Sequence, residues 1–310
     1  MKNKYYIIGK TGQLSQEFQS YFANNKMPFA VISSTAASLS NRKQLREQLV
    51  GYHSIQDDNE FELSPVIINC GAYNDVDKAE VEQRKAFQIN ALGPKYLSEI
   101  ANDCKAKLIH FSSDYVFKGA YDHEFDSSSR SFIEYDIPNP INYYGETKLQ
   151  GENYIKDICH NYLILRTSWL YGKGTSNFIY KFLQYNKNIK STAIPKMVGC
   201  PTYTYDLVKQ TMLLLDNNVR GLYNCSCEGY CSKKDFSEAF CSMLNIDITI
   251  EENDYMLSFG AKRPQMLILE NKQLDMEGLN IMRNWKDALY DFVEKNKKFL
   301  KENKCEEIYS

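Results

Sequence analysis

The amino-acid sequence predicts an α/β fold, in which a doubly wound parallel sheet carries a smaller C-terminal lobe. Two observations favour it: short apolar runs alternate with longer segments of helical spacing, and a glycine-containing turn directly follows the first run. The strand-like runs lie at 5–8, 28–33, 65–70, 107–112 and 161–166. Between the third and fourth runs, several apolar residues can line one side of a long or broken helix: Ala79, Phe87, Ala91, Leu97 and Ile100.

The pattern changes after about residue 170. The segments GKGTSNF (172–178) and GCPTYTYDL (199–207) indicate turns between shorter helices and strands. We therefore predict a sheet domain over 1–170 and a second lobe over most of 171–310, with some segments returning to the sheet. From Trp285 onward the chain predicts an amphipathic helix with a basic, solvated outer face.

Composition and charge limit the classes of function. With 37 basic and 39 acidic residues, the formal net charge is -2, which favours a small-molecule ligand over nucleic acid or an anionic membrane. The segment MKNKYYIIGKTGQL is typical of a first strand rather than a signal peptide. No run approaches the roughly 20 apolar residues of a membrane span, so we expect a cytoplasmic protein.

The nine cysteines are odd in number and mostly scattered, which indicates reduced thiols rather than a disulfide framework. Cys225, Cys227 and Cys231 fall close together. No CxxC pair and no nearby histidine completes a zinc site there, so no metal is expected.

The first strand runs into a turn from Gly9 to Ser15 with the spacing GxxGxxS, and a helical pattern follows. Glycines at such a turn let the backbone approach a pyrophosphate, and the start of the helix favours its negative charge. Ser15 stands where a third glycine is usual in a Rossmann-type sheet. A plain strand-to-helix connection is the alternative interpretation.

The end of the second strand bears on the choice of cofactor. It carries Ser33 and Ser34 and lacks the acidic residue that binds the ribose 2′-hydroxyl of NAD. NADP(H) is therefore favoured, with NAD(H) as the alternative. Arg42 and Lys43 could accommodate a 2′-phosphate or could simply lie on a solvated helix face.

The strongest chemical signal is the pair Tyr144 and Lys148 in NYYGETKLQGENYI (142–155), where the two side chains share a helix face. We expect the ammonium to lower the tyrosine pKa from about 10 toward neutrality, so that the phenol can exchange a proton with a carbonyl or alcohol. The YxxxK pattern also arises by chance in a chain with 23 tyrosines.

The sequence around this pair favours a catalytic role over a chance match. The fourth strand ends in HFSSDYVF (110–117), so Ser113 can meet the tyrosine across the cofactor crevice and polarise a carbonyl oxygen. The alternative role for Ser113 is a hydrogen bond to local backbone at the strand end.

Taken in order, these segments resemble the dTDP-4-dehydrorhamnose reductase family of the extended short-chain dehydrogenase/reductases. The resemblance covers most of the chain. The matching segments are GKTGQL (9–14), VIINCGAYNDVDKAE (66–80), INALGP (89–94), FSSDYVFKG (111–119), NPINYYGETKLQGE (139–152), ILRTSWLYG (164–172), NF (177–178), GCPTYTYDL (199–207) and KRP (262–264).

The resemblance implies cofactor contacts from Gly12, Gln13, Leu14, Gly71, Ala72, Tyr73, Tyr144 and Lys148. The glycine turn and the end of the second strand add Gly9, Thr11, Ser33 and Ser34 to the expected cofactor contacts. Tyr144, Lys148 and Ser113 would be catalytic. Ser113 and Asp114 would contact the sugar, Trp169 would wall its pocket, and Arg263 would engage the substrate pyrophosphate.

The implied activity is NAD(P)H-dependent reduction of the C4 keto group of a nucleotide-linked 6-deoxysugar, forming dTDP-L-rhamnose from dTDP-4-dehydro-L-rhamnose. Homodimers are common on this scaffold. The alternatives are a nucleotide-sugar epimerase, and a non-catalytic subunit similar to the regulatory β subunit of methionine adenosyltransferase. Retention of Tyr144 and Lys148 argues against the latter. The segment IPKMV (194–198) departs from the family pattern and leaves the exact sugar open.

Overall fold

The computed structural model describes residues 3–34, 38–54, 64–120, 131–174, 177–253 and 260–302. In chain order the elements are β1 (Asn3–Ile8), α1 (Gln13–Asn24), β2 (Phe29–Ile32), α2 (Arg42–Ser54), β3 (Ser64–Asn69), α3 (Val76–Val81), α4 (Gln83–Phe87), a π-helical turn (Gln88–Leu92), α5 (Gly93–Asp103), β4 (Lys107–Ser113), a 3₁₀ turn (Asp114–Val116), α6 (Tyr143–Ile158), β5 (Tyr162–Thr167), β6 (Leu170–Tyr171), α7 (Phe178–Tyr185), β7 (Ser191–Ile194), β8 (Val198–Gly199), β9 (Thr202–Tyr203), α8 (Thr204–Asp216), β10 (Gly221–Asn224), β11 (Cys231–Ser232), α9 (Lys233–Leu244), β12 (Thr249–Glu252), α10 (Lys272–Met276) and α11 (Trp285–Glu302).

The main sheet has six strands in the order β10-β5-β4-β3-β1-β2, and every neighbouring pair is parallel. Each of the five strand-like runs corresponds to one of these strands, so the predicted doubly wound α/β sheet is confirmed. Ile8 is in register with both Ile32 and Asn69, which aligns the carboxyl ends of three strands beside the point where the strand order reverses. Ligands of open α/β sheets bind at such a switch point.

Both faces of the sheet are buried. Along β1, Tyr5 and Ile7 pack into one apolar cluster, while Tyr6 and Ile8 pack into another on the opposite face. This alternation follows from the two-residue period of a strand. The clusters include helices α1 and α8 on the first face and α2 and α5 on the second, as a doubly wound sheet requires.

The segment between the third and fourth strands forms a broken helix, as predicted. The break is the π-helical turn, which carries the buried Asn90. The Asn90 side chain accepts a hydrogen bond from the Tyr73 amide at 2.8 Å and donates to the Tyr73 carbonyl at 3.0 Å and the Thr147 hydroxyl at 3.2 Å. The break therefore fixes the loop after β3 against helix α6.

The second half of the chain adds small two-stranded sheets, β6 with β9, β8 with β11 and β7 with β12, and also supplies β10 to the edge of the main sheet. The predicted terminal helix is α11, and its lysines pair with acids on its own surface, as Lys295 does with Asp291 at 2.9 Å. Within the described ranges, no helix combines the length and apolar character needed to cross a bilayer.

Candidate active site

A crevice of about 710 Å³ opens at the carboxyl ends of β1, β3, β4 and β5. It brings together most of the residues that the sequence singled out, from six separate segments. Those that line it are Gly12, Gln13, Leu14, Gly71, Ala72, Ser113, Asp114, Tyr144, Lys148, Trp169 and Arg263. Gly9, Thr11, Ser33, Ser34 and Tyr73 are not part of this lining.

The turn after β1 has the backbone conformation that a close approach to a ligand requires. Gly9 has φ +95°, a conformation that L side chains rarely adopt, and a Cβ there would lie 3.4 Å from the Gly71 nitrogen. The Ser15 hydroxyl donates to the Gly9 carbonyl oxygen, so the serine at the third glycine position closes the turn. Gly12 precedes α1 without a capping side chain, which leaves amides of the first helical turn for a ligand.

Arg42 and Lys43, the two residues that could accommodate a 2′-phosphate, lie on the exposed surface of helix α2. Arg42 Nε lies 2.5 Å from a Glu99 carboxylate oxygen, and Lys43 Nζ lies 3.9 Å from Glu47. Both side chains are largely exposed. The interpretation of Arg42 and Lys43 as solvated helix residues is therefore the better supported one.

A buried hydrogen-bond network lies behind the crevice. Asn69 Oδ1 accepts from the Gly71 amide at 3.2 Å, so Asn69 Nδ2 faces His110 Nδ1 at 3.0 Å and donates to it. Burial and the neighbouring Lys148 hold the pKa of His110 well below its usual range, so this imidazole is neutral. Its proton is then on Nε2, which lies 3.5 Å from Lys148 Nζ.

Lys148 is almost completely buried and donates to the Phe111 carbonyl oxygen at 2.7 Å. Burial lowers the pKa of Lys148 to about 8, and the charge of Glu152, one helical turn further on, acts in the opposite direction. Sequence reasoning did not find Asn69 or His110, although each is a polar residue in a buried strand that ends at the crevice.

Burial raises the pKa of Tyr144 to about 12; a hydrogen bond with Ser113 lowers it and the Asp114 charge raises it. The prediction that Lys148 lowers this pKa toward neutrality is wrong for this structure. The sharing of a helix face was predicted correctly, but the lysine ammonium is directed to a backbone carbonyl, and desolvation of the phenol dominates.

Ser113 and Asp114 form a second hydrogen-bonded group. Ser113 Oγ donates to Asp114 Oδ1 at 2.9 Å and accepts from the Tyr115 amide at 3.2 Å, while Ser168 Oγ donates to Asp114 Oδ2 at 2.7 Å. Ser113 therefore makes the local backbone bond considered as its alternative role and also contacts Tyr144. Burial raises the pKa of Asp114 to about 6.

Helix α6 packs closely against its neighbours at two positions, the 3₁₀ turn after β4 and strand β5. A Cβ on Gly145 would lie 2.1 Å from the Tyr115 carbonyl oxygen, so the glycine between Tyr144 and Lys148 permits the close packing. Further along, the fully buried Glu152 accepts two hydrogen bonds from Arg166 on β5, at 2.9 and 2.7 Å. This ion pair was not found from the sequence.

A second cavity of about 400 Å³ adjoins the crevice, and Trp169 and Arg263 line both. Trp169 has φ +38°, a strained conformation for a large side chain. Arg263 donates through both terminal nitrogens to Asp77, at 2.9 and 2.6 Å. A bidentate contact between Arg263 and a pyrophosphate would require this ion pair to open.

The cysteines 225, 227 and 231 are buried, and burial raises the pKa of each thiol. Within the described part of the chain, no group of three or more His, Cys, Asp and Glu side chains is placed to hold a metal ion.

The model of one protein family, the RmlD substrate binding domain, matches residues 3–298. The chain belongs to this family. The dTDP-4-dehydrorhamnose reductase of Escherichia coli K12 is 34% identical over 240 residues, which are 74% of this chain and 75% of that protein.

Solved structures agree with this assignment to the RmlD family. A dTDP-4-dehydrorhamnose reductase from Clostridium acetobutylicum aligns with a TM-score of 0.84 and 30% identity, over 95% of this chain and 99% of that one. One from Bacillus anthracis, in complex with NADP, aligns with a TM-score of 0.84 and 29% identity, over 95% of this chain and 100% of that one. The family resemblance found in the sequence is confirmed.

Proposed function

We propose that this chain uses NAD(P)H to reduce the C4 keto group of a nucleotide-linked 6-deoxysugar, with dTDP-4-dehydro-L-rhamnose as the first substrate to test. The observation that carries the proposal is the convergence of Ser113, Tyr144 and Lys148 in one crevice that begins at the glycine turn. All three similar proteins described above carry the name dTDP-4-dehydrorhamnose reductase and align over most of this chain.

The crevice has the features that a nicotinamide dinucleotide needs. Gly12, Gln13 and Leu14 would hold its pyrophosphate, where the first amides of α1 have no capping side chain. Gly71 and Ala72, which line the crevice, would lie along its ribose, whereas Tyr73, next in the chain, is outside that lining. When bound, the nicotinamide supplies the hydride. A preference for NADP(H) rests on the absence of an acid at Ser33 and Ser34, because Arg42 and Lys43 have acidic partners already.

Tyr144 would donate the proton. With a pKa raised to about 12, the phenol stays protonated at neutral pH, which suits donation to the oxygen of a carbonyl that is being reduced. Ser113 would position the phenol and polarise the same oxygen. Lys148, buried beneath the crevice and in contact with Phe111 and His110, would hold the cofactor ribose.

Asp114 would contact the sugar beside Ser113. Trp169 would form an aromatic wall for the apolar side of a deoxysugar, since it borders both the crevice and the second cavity. Cytoplasmic location and a homodimeric state remain predictions from the sequence.

The decisive experiment follows NADPH oxidation with a panel of dTDP-, UDP- and GDP-linked 4-keto-6-deoxysugars. We expect oxidation with at least one sugar, and we expect Tyr144→Phe to lower kcat by about 10²-fold or more, since proton transfer contributes that much. Tyr143→Phe is the matched control, because Tyr143 is the adjacent tyrosine in the first turn of α6 and should keep its turnover.

Cofactor binding, measured by NADPH fluorescence, should survive in Tyr144→Phe. Undiminished turnover in that variant, or no oxidation with any sugar, would contradict the proposal. An epimerase would instead release retained NAD on denaturation and convert sugars without net NADPH oxidation. A non-catalytic subunit would bind nucleotide and tolerate Tyr144→Phe.

A further inference from the structure

The second cavity combines an apolar wall with two cations and one carboxylate. Trp169, Phe178, Met197 and Phe236 supply aromatic and apolar surface, Lys233 and Arg263 are the cations, and Asp77 is the carboxylate. The cavity continues the crevice, because Tyr115, Trp169 and Leu170 line both. A ligand whose reacting end lies at Tyr144 can therefore extend past Trp169 into it.

Lys233 has no acidic partner within the described part of the chain. Its Nζ lies 4.6 Å from the centre of the Phe178 ring and 6.0 Å from that of Trp169. The nearby carboxylate of Asp235 is bound to Ser232 in the capping box that starts α9. The adjacent Lys234 differs, since its Nζ lies 3.8 Å from a carboxylate oxygen of Glu238.

The backbone fixes Lys233 at this wall. Its amide donates to the Met197 carbonyl oxygen at 2.8 Å, and Lys233 is the first residue of α9 after the Ser232 cap. Burial lowers the pKa of Lys233 to about 8, and the charge of Arg263 adds to this effect. A cation held among rings and repelled by a second cation is a favourable partner for an anion.

The second cation is already engaged. Both terminal nitrogens of Arg263 donate to Asp77, so the charge of Arg263 is largely compensated. Lys233 is the cation of this cavity whose donors have no acidic partner among the described residues. The diphosphate is the strongly anionic part of a nucleotide sugar, and ammonium groups bind phosphates well.

We propose that Lys233 binds the diphosphate of the nucleotide sugar in the second cavity, and so contributes to substrate selection. This inference rests on the proposed function for the identity of the ligand. It moves the pyrophosphate contact that the sequence suggested for Arg263 to a residue 30 positions earlier, on α9. Phe178, which lines the second cavity alone, would then flank the nucleotide end of the substrate, while Trp169 borders the sugar.

Calorimetric titration of dTDP, UDP and GDP, without any sugar or turnover, tests this directly. We expect Lys233→Gln to weaken the best nucleoside diphosphate at least tenfold, and Lys233→Arg to keep its affinity within a few-fold. Lys234→Gln is the matched control, with the same substitution one residue away, and should bind as the unchanged protein does. Thymidine, which lacks phosphates, should show no difference between the variants.

In turnover assays, Lys233→Gln should raise KM and leave kcat nearly unchanged, since Lys233 lines the second cavity whereas the proton donor Tyr144 lines the crevice. Equal diphosphate affinity in Lys233→Gln and the unchanged protein, or no diphosphate binding to the unchanged protein, would overturn the inference. Binding that depends on Lys233 without reduction of any sugar would instead reject the proposed function and retain the diphosphate site.

Discussion

The crevice and the neighbouring second cavity each contain a lysine in their lining. The two lysines differ in the groups that compensate their charge. In the crevice, Lys148 donates to the Phe111 carbonyl oxygen, and Glu152 lies one helical turn away. In the second cavity, Lys233 lies over two aromatic rings without an acidic partner in the described residues. The charge of Lys148 therefore has compensating groups within the fold, before any cofactor binds. Under the proposal above, a ligand supplies the compensation for Lys233, so substitutions there should change binding more than folding.

The largest expected effect is at the fully buried Glu152, one helical turn beyond Lys148 on α6. Glu152→Ala leaves the buried Arg166 guanidinium without its carboxylate, and such a loss costs about 3–5 kcal/mol of unfolding free energy. Urea unfolding measures it. Lys156→Met is the control, because it removes a half-exposed partner 3.4 Å from the same carboxylate and should cost less than about 1 kcal/mol.

The double variant Glu152→Leu with Arg166→Met removes both charges together. It should recover much of the lost stability, because apolar side chains can replace a buried ion pair at little cost. If Glu152→Ala unfolded at the same urea concentration as the unchanged protein, the buried ion pair of Glu152 with Arg166 would not contribute to stability as described above.

An intermediate effect is expected from Asp114, and it depends on pH. The folded-state pKa is about 6, above the usual value of 3.8, so the folded protein binds this proton more tightly than the unfolded chain. The stabilisation that comes from this tighter proton binding is fully present below about pH 4 and is lost as the pH rises through about 6. Asp114→Asn removes this dependence.

Between pH 4.5 and 7.5, the unfolding free energy of Asp114→Asn relative to the unchanged protein should therefore rise by about 2 kcal/mol. Denaturant unfolding at both pH values tests it. Parallel pH profiles for the two proteins would show that the buried carboxyl titrates as an ordinary aspartate.

The smallest expected effect on folding is at Lys233. Because its pKa is lowered by burial and by Arg263, the charge is unfavourable in the folded state, and Lys233→Gln should leave Tm unchanged or raise it slightly. Differential scanning calorimetry with and without dTDP sharpens the comparison, because dTDP should raise Tm less in this variant. A marked fall in Tm without ligand would place Lys233 among the structural residues.

The parts of the fold that the sequence predicted depend on local patterns. Buried parallel strands are continuous apolar runs, so β1 and β3 were evident. The turn at Gly9 and the helix-face pairing of Tyr144 with Lys148 likewise depend on short spacings.

The features that were missed depend on contacts between distant segments. Asp77 and Arg263 are 186 positions apart, and the pairing of Asn69 with His110 appears only when β3 lies beside β4. Spacing placed Tyr144 near Lys148, but it carried no information on how deeply the phenol is buried. The pKa of Tyr144 was therefore predicted in the wrong direction.

The strand β10 has a consequence for any attempt to divide the chain. It pairs with β5 from Gly221 to Asn224, so one edge strand of the main six-stranded sheet comes from the second half of the sequence. A fragment ending near residue 170 would present the backbone amides and carbonyls of β5 unpaired. Exposed strand edges of this kind recruit strands from other molecules, so that fragment should self-associate, whereas one extended through Asn224 carries its own edge strand.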